Sequence, residues 1–231
     1  MNITGTADQL RFLYKTVVGD FDARVRVTAI TAPARLESYA KAALVAREDT
    51  TPGAGNITVF ATTSYPGDNN VGTTVRTNAG SATGNLGPVV GPNGLPNGWL
   101  RLTRVGNVFT SYRSLDGMNW TQLGSITLAY GSSMVVGAGV NSHRNGFLAT
   151  GTFSDFSIAT GPPITGLTYS AGMFSGSFQT QAGFSYVVQY KDNITSPTWQ
   201  VLTTIPGDGT VKTFTDPGPA VPQRFYRVSI Q

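Results

Sequence analysis

The chain has 231 residues, of which 40% are hydrophobic and only 12% are charged, and it contains 28 glycines and 13 prolines. Charged residues make up about a quarter of an average protein, so this composition disfavours helices built on ion pairs and favours strands and turns. A mean hydropathy of −0.05 and the lack of a long apolar run indicate a globular chain without a membrane span.

The net charge of +4 raises the question of nucleic acid binding. The cations are spread from Arg11 to Arg227 without a basic cluster, so we expect no nucleic acid partner. The absence of cysteine excludes disulfides, thiolate metal sites and cysteine nucleophiles. A cysteine-free chain fits an exported bacterial protein better than a eukaryotic secreted module, so we expect an extracellular or cell-surface location. The residues after Met1 do not have the pattern of a signal peptide, so we expect that any signal peptide has been removed or was never part of this sequence.

Alternation with a period of two predicts a series of strands in the first part of the chain. The predicted strands are Phe21–Val27, Ala40–Val45, Ile57–Thr63, Leu100–Thr103 and Val108–Tyr112. Turn signals at residues 105–107 and at Asp116-Gly117 predict an antiparallel meander over about residues 98–124. The alanine-rich stretch Leu36–Glu48 leaves a helix open as an alternative, although its alternation favours a strand.

Two stretches rich in glycine, proline and asparagine, Tyr65–Asn70 and Thr83–Gly98, are predicted to be surface loops. If the strand between them is a hairpin arm, the two loops stand side by side and form a candidate rim for a binding site.

The linker Gly161-Pro162-Pro163 predicts a boundary between a domain of residues 1–160 and a second domain of residues 161–231. The second domain has short strands with the spacing of a small β-sandwich. They are Gly176–Gln181, Ser185–Lys191, Trp199–Thr204, Lys212–Phe214 and Phe225–Ile230.

Six blocks in order carry a resemblance to a known family. They are Ala7–Phe12, Gly19–Val25, Lys41–Glu48, Trp99–Gly106, Tyr112–Trp120 and Val136–His143. Over about residues 1–158 the chain resembles the concanavalin A-like, laminin-G-like jelly-roll domains of secreted bacterial proteins, a group that includes the "regulation of enolase" proteins. The tail, with Tyr190, Trp199, Phe214–Pro217 and Arg224–Val228, resembles short immunoglobulin- or fibronectin-like modules.

The resemblance implies an all-β chain in which a jelly-roll sandwich is followed by a small immunoglobulin-like sandwich. It also implies an extracellular protein that binds glycans without catalysis, and it leaves calcium open as a cofactor. Relatives have further strands before the Asp8-Gln9 block, so the resemblance implies an uncovered sheet edge. Because unpaired edges are usually protected, we expect a neighbouring subunit or the second domain to complete the sheet.

Retaining glycosidases need two carboxyl groups about 5–5.5 Å apart, and no motif of that kind occurs in this sequence. The two glutamates are Glu37 and Glu48, and adjacent Glu48 and Asp49 would point to opposite faces of a strand. Asp20 and Asp22 share a face, but their context predicts a structural turn. We therefore predict no catalytic residue, and a glycoside hydrolase stays an alternative.

Glycan recognition requires an aromatic platform together with planar donors and acceptors. On this basis the predicted ligand-binding residues are Tyr65, Asn69, Arg76, His143, Arg47, Trp99 and Arg101, with Asp68 as the candidate calcium ligand. A core position for Trp99 and a loop-stabilising role for His143 stay open. The turn Ser114–Trp120 resembles the Asp-box of sialidases, and we interpret it as structural.

The sequence therefore predicts a secreted, non-catalytic binding or adhesion protein whose partner is a polysaccharide or a cell-surface glycan. The alternative is a structural subunit of an extracellular filament or surface layer, assembled through the incomplete sheet edge.

Overall fold

In a computed structural model, which describes residues 2–33, 37–63, 69–218 and 222–230, all regular secondary structure is β-strand. The strands are β1 (Arg11–Val18), β2 (Phe21–Thr31), β3 (Lys41–Arg47), β4 (Asn56–Thr62), β5 (Asn70–Arg76), β6 (Gly84–Asn85), β7 (Gly98–Val105), β8 (Val108–Ser114), β9 (Thr121–Thr127), β10 (Ser133–Asn141), β11 (Thr150–Thr160), β12 (Thr165–Ser170), β13 (Met173–Gln179), β14 (Ser185–Lys191), β15 (Gln200–Pro206), β16 (Val211–Asp216) and β17 (Phe225–Ile230). These residues include no helix long and apolar enough to cross a membrane.

The chain divides into two compact units, Met1–Ile158 and Ala159–Gln231. The first unit contains a six-stranded sheet in the order β1-β10-β3-β4-β5-β6 and a five-stranded sheet in the order β11-β2-β7-β8-β9. The pairs β1–β10, β10–β3, β3–β4, β4–β5, β5–β6, β2–β7, β7–β8 and β8–β9 are antiparallel. Alternate residues of each strand, such as Leu44 of β3 and Val25 of β2, belong to one hydrophobic core. The prediction of an all-β sandwich is confirmed.

The alanine-rich stretch that left a helix open contains strand β3, whose residues are all buried. Ala42, Leu44 and Ala46 belong to the core of the sandwich, whereas Ala43 and Val45 belong to a separate cluster with Leu10 and Phe12. The alanines are therefore small residues on a strand that is covered on both faces.

The face of the six-stranded sheet that points away from the core is called here the outer face. The N-terminal segment, residues 2–10, lies over part of it, since Ile3 is fully buried and Leu10 packs against the cluster of Ala43, Val45 and Phe60. Strands β3, β4 and β5 are consequently buried on both sides.

A buried ion cluster attaches the N-terminal segment to the outer face. The guanidinium of Arg76 donates to both carboxylate oxygens of Asp8, at 2.7 and 2.8 Å. Arg47 and Asn56 donate to the same carboxylate, and Arg76 also donates to the carbonyls of Gly5 and Ala54 at 3.0 Å. We call Asp8, Arg47, Asn56 and Arg76 the arginine clamp.

The arginine clamp corrects two sequence-based predictions. Arg47 and Arg76 were expected on a ligand-facing surface, but their side chains are 2% and 0% exposed. Both lie on the outer face. Asp8 and Gly5 of the covering segment accept some of their hydrogen bonds, and carbonyls of residues 49–54 and of Ser81 accept others. Alternation along a strand does not report such a cover, because the residues of the cover are distant in sequence.

The predicted loop Thr83–Gly98 is irregular apart from the short strand β6 and an antiparallel bridge between Val90 and Val71. The predicted loop Tyr65–Asn70 lies largely outside the described residues, and only Asn69 and Asn70 of it are described.

The second unit contains two three-stranded sheets, with the orders β12-β13-β16 and β15-β14-β17. Its core is rich in aromatic residues, including Phe178, Phe184, Tyr186 and Phe214. Buried Asp216 accepts hydrogen bonds at 2.8 Å from both Arg224 and Tyr226, which fixes the polar end of this core.

We expect Arg76→Ala to lower the free energy of unfolding by about 3–5 kcal/mol, because the substitution leaves the buried Asp8 carboxylate without its bidentate partner. The matched control is Arg144→Ala, which removes a half-exposed partner of Glu37 and should cost no more than about 1 kcal/mol. Urea unfolding measures both. Equal losses for the two variants would contradict the structural role of the arginine clamp.

Candidate ligand-binding cavity

A row of polar side chains crosses the outer face at the end opposite the arginine clamp. Asn141 of β10 pairs with Lys41 of β3, Lys41 with Thr62 of β4, and Thr62 with Asn70 of β5. Residues directly opposite each other share a face of the sheet, so these four side chains are neighbours. We call them the polar row.

A cavity of about 340 Å³ opens beside the polar row. Its volume falls within the range of about 300–1,000 Å³ that is typical of small-molecule sites. It is lined by Thr4, Tyr39, Lys41, Phe60, Thr62, Asn70, Thr74, Asn85, Val89 and His143. Gly72 shapes this region, since a Cβ there would come within 2.9 Å of both Phe60 and Val89.

Two residues beside this cavity hold an unusual backbone conformation. Tyr39 has φ of 64° and His143 has φ of 61°, and neither is a glycine. Their rings lie against each other, with centroids 5.5 Å apart. A non-glycine residue in the left-handed region costs free energy, and such strain clusters at functional sites. With this backbone conformation, the half-exposed ring of Tyr39 lies next to the cavity.

Two buried side-chain atoms lack a hydrogen-bond partner among the described residues, and both belong to this part of the sheet. They are Thr74 Oγ1, on a residue that lines the cavity, and Asn141 Nδ2, in the polar row. Buried polar groups almost always have a hydrogen-bond partner. An unpaired hydroxyl on a residue that lines an open cavity therefore indicates a hydrogen bond that a ligand or a water molecule would complete.

Lys41 supplies the positive charge of the cavity. Its side chain is buried, and this desolvation lowers the pKa of Lys41 from 10.5 to about 8. Its amine donates to the carbonyl of Tyr39 at 3.1 Å and lies 5.5 Å from the centroid of the Phe60 ring. Burial, followed by the charge of Lys41, also lowers the pKa of His143, so the imidazole is neutral near pH 7.

Of the predicted ligand-binding residues, the structure places His143 in the cavity. Asn69 is exposed and directly precedes the cavity residue Asn70. The predicted ligand Tyr65 and the predicted calcium ligand Asp68 lie outside the described residues. Among the residues described, no group of three or more acidic or histidine side chains could hold a metal ion.

The sequence analysis missed Lys41, Asn70 and Thr74 as candidate residues. The strand pattern contains a signal that could have identified part of this site. Lys41, Thr62 and Asn70 are polar residues at the ends of three apolar strands, and a correct strand order would have aligned them.

Trp99 and Arg101 lie on the outer surface of the five-stranded sheet in a cluster whose members bind one another. Arg101 donates to both oxygens of Asp22, and its guanidinium lies 4.9 Å from the Tyr112 ring and 5.6 Å from the Trp120 ring. Trp99 meets Trp120 edge to face at 6.5 Å. These contacts favour an internal, stabilising role for this cluster.

The turn Ser114–Trp120 has the structural role that its sequence predicts. Asp116 accepts backbone N–H bonds from Met118 and Asn119, both at 2.8 Å, and these bonds hold the pKa of Asp116 well below its usual range. Gly117 has φ of 75° and packs against the Trp99 ring.

The candidate carboxylates have structural partners as well. Asp20 accepts the Gly106 N–H at 2.7 Å, and Asp22 is fully buried between Arg24 and Arg101.

A second cavity, of about 450 Å³, opens at the edge of the first unit where β1 and β11 are the last strands of their sheets. Its lining is Leu13, Tyr14, Lys15, Ala138, Phe153 and Phe156. Leu13 is 81% exposed, which is unusual for a leucine that points toward a sandwich core.

No protein-family model matches the chain, and no curated protein matches it. A solved structure of a functionally unknown protein from Saccharomyces cerevisiae is similar to this chain, with a TM-score of 0.53 and 21% identity, and the match covers 66% of this chain and 75% of that one. At this identity the similarity concerns the fold alone.

Two further solved structures match more weakly. A GH43 protein from Bacillus licheniformis has a TM-score of 0.42 and 15% identity over 60% of this chain and 27% of that chain. Sheep galectin-11 in complex with glycerol has a TM-score of 0.39 and 8% identity over 66% of this chain and 98% of that chain.

We expect Lys41→Met to raise the free energy of unfolding at pH 7 by about 1–3 kcal/mol, because the substitution removes a desolvated charge. The folded pKa of Lys41 lies below its unfolded value, so the penalty is fully present below pH 8 and disappears as the pH rises from about 8 to 10.5. Urea unfolding at several pH values measures this difference.

The control for this prediction is Lys15→Met, which removes an exposed lysine of β1. It should change stability little and without this pH dependence. A Lys41→Met protein that is less stable than the original at pH 7 would contradict the burial cost assigned to the charge.

Proposed function

We propose that the first unit is a non-catalytic carbohydrate-binding module and that the cavity beside the polar row receives a sugar ring. The observation that carries this proposal is a cavity lined by Thr74, whose buried hydroxyl has no hydrogen-bond partner among the described residues, and by the aromatic residues Tyr39 and Phe60. A sugar has apolar C–H faces that pack on aromatic rings and hydroxyls that both donate and accept hydrogen bonds.

The composition of the lining supports a sugar over a purely apolar ligand. Asn70 and Asn85 offer amide donors and acceptors, and Thr62 and Thr74 offer hydroxyls. These groups come from strands of one sheet, which is a rigid frame for a polar ligand. The described lining contains no carboxylate, so it supports binding over glycoside hydrolysis.

The proposal includes the finer assignments that the sequence suggests. The first unit is a concanavalin A-like, laminin-G-like module, the second is an immunoglobulin- or fibronectin-like module, and the protein acts outside the cell or at its surface. The strand orders of the two units are compatible with these assignments.

We expect Thr74→Val to weaken binding of the preferred polysaccharide about three- to tenfold, because valine keeps the shape of threonine and removes the hydroxyl. Stability should not fall, since the buried hydroxyl has no described partner. Tyr39→Ala should weaken binding to a similar degree by removing the stacking surface. Affinity electrophoresis over a polysaccharide panel identifies the ligand, and calorimetry measures the affinities.

The control is Tyr169→Ala, which removes an exposed tyrosine of the second unit and should leave binding unchanged. Binding by Thr74→Val and Tyr39→Ala at the original affinity would exclude this cavity. Release of reducing sugar from the panel would favour the hydrolase alternative.

A second candidate function, a subunit of an extracellular filament or surface layer, is supported by the open edge of the first unit. Strand β1 pairs with β10 on one side only within the described residues, and Leu13, Tyr14 and Val18 on it are exposed. An eight-residue edge strand of this kind can add a strand from another copy.

We expect that, if assembly occurs through β1, Leu13→Asp will keep the protein monomeric at concentrations where the original chain associates. The matched control is Leu148→Asp, since Leu148 is also exposed but lies in a loop. Size-exclusion chromatography with light scattering over a concentration series measures the association. A monomer at every concentration for the original chain would exclude this function.

A further inference from the structure

Lys41 is a buried cation that has no ionic partner in the part of the chain that the structure describes. Its amine donates to the Tyr39 carbonyl at 3.1 Å and to Asn2 Oδ1 at 3.4 Å, both uncharged groups. Among the described residues no carboxylate oxygen lies within 4 Å of this amine, and the residue is 6% exposed. The lysine therefore carries a desolvated charge that the described part of the chain does not neutralise.

The other buried cations on these two sheets have more acceptors. Arg47 and Arg76 share Asp8 in the arginine clamp, and Arg104 donates to the carbonyls of Gly106, Tyr130, Gly131 and Ser132. The partly buried Arg24 and Arg101 share the fully buried Asp22. Lys41 has one carbonyl and one amide oxygen as acceptors, and it lines an open cavity. A counter-charge can therefore reach it from outside.

Among the described residues, the charged and titratable groups around the cavity do not supply that counter-charge. His143 is neutral near pH 7, and protonation would add a second positive charge. Glu37, whose charge acts on His143, is bound by Arg144 at 3.0 Å. A ligand with a negative charge would therefore bind in a positive, poorly solvated environment.

We propose that the ligand is an acidic sugar whose carboxylate or sulfate binds the Lys41 amine inside the cavity. This inference rests on the proposed function and narrows it to acidic glycans. The anionic group supplies the missing counter-charge, and the rest of the sugar faces the hydroxyl and amide groups of Thr74, Asn70 and Asn85. Hydrogen bonds to charged groups are the stronger class, so the anionic group contributes more affinity than a further hydroxyl.

The test compares matched probes on the full chain by calorimetry or ligand-observed NMR. The probes are the neutral sugar glucose, its carboxylate counterpart glucuronate and its sulfate counterpart glucose 6-sulfate, each also as an oligosaccharide or polymer. We expect the acidic member of a set to bind about tenfold or more tightly than the neutral member near pH 7. The carboxylate and sulfate arms show which anionic group the site prefers.

The preference for the acidic probe should decline as the pH rises from about 7 to 9.5, because Lys41 loses its proton in that interval. The affinity for the neutral probe should not change over the same interval. Lys41→Met should remove the preference, so that the acidic and neutral probes bind this variant with equal affinity. Lys41→Arg should keep the preference and make it independent of pH over the same interval, since arginine stays protonated. Lys15→Met, on exposed strand β1, should behave like the original chain.

The outcomes separate the two proposals. Equal affinity for acidic and neutral probes, or an acid preference that survives in Lys41→Met, would overturn this inference and leave carbohydrate binding in place. The absence of binding to every probe and to the polysaccharide panel would overturn both.

Discussion

The interaction on which the candidate site depends is the arginine clamp, in which one buried carboxylate, Asp8, binds the guanidinium groups of Arg47 and Arg76. The clamp attaches the N-terminal segment to the outer face of the six-stranded sheet. The same segment carries Thr4, which lines the cavity, and Asn2, which accepts a hydrogen bond from Lys41. Removing one partner of a buried ion pair is costly in folding free energy, so the clamp holds the N-terminal segment firmly against the sheet.

The two ends of the outer face are built differently. At the clamp end, the charges of two arginines are matched by the Asp8 carboxylate and several carbonyls, and the Asn56 amide donates to the same carboxylate, which is the pattern of a structural site. At the cavity end, the described residues provide no counter-ion for Lys41 and no hydrogen-bond partner for the Thr74 hydroxyl, and Tyr39 is strained. Backbone strain and unpaired polar groups that lie close together are typical of a binding surface, because a bound ligand can lower its free energy.

The strands could be predicted closely, because alternation reports which residues share a face. The predicted bounds of Ser185–Lys191 and Phe225–Ile230 agree with β14 and β17. Strands β1, β10 and β12 were not among the predicted strands. Most residues of β1 and all residues of β12 are exposed, so their patterns are weak. The site could not be predicted in the same way, because alternation does not say what covers a face. Arg76 therefore looked like a surface residue, and Lys41 looked like an ordinary strand end.

Hydrogen exchange measured by mass spectrometry, with and without the preferred polysaccharide, tests most directly whether the cavity end of the outer face is the working surface. The account predicts slower exchange in the segments around Lys41, Thr62, Asn70–Thr74 and His143, with little change elsewhere in the first unit. Protection centred on Trp99 and Trp120 of the five-stranded sheet, or on the β1 edge, would contradict it.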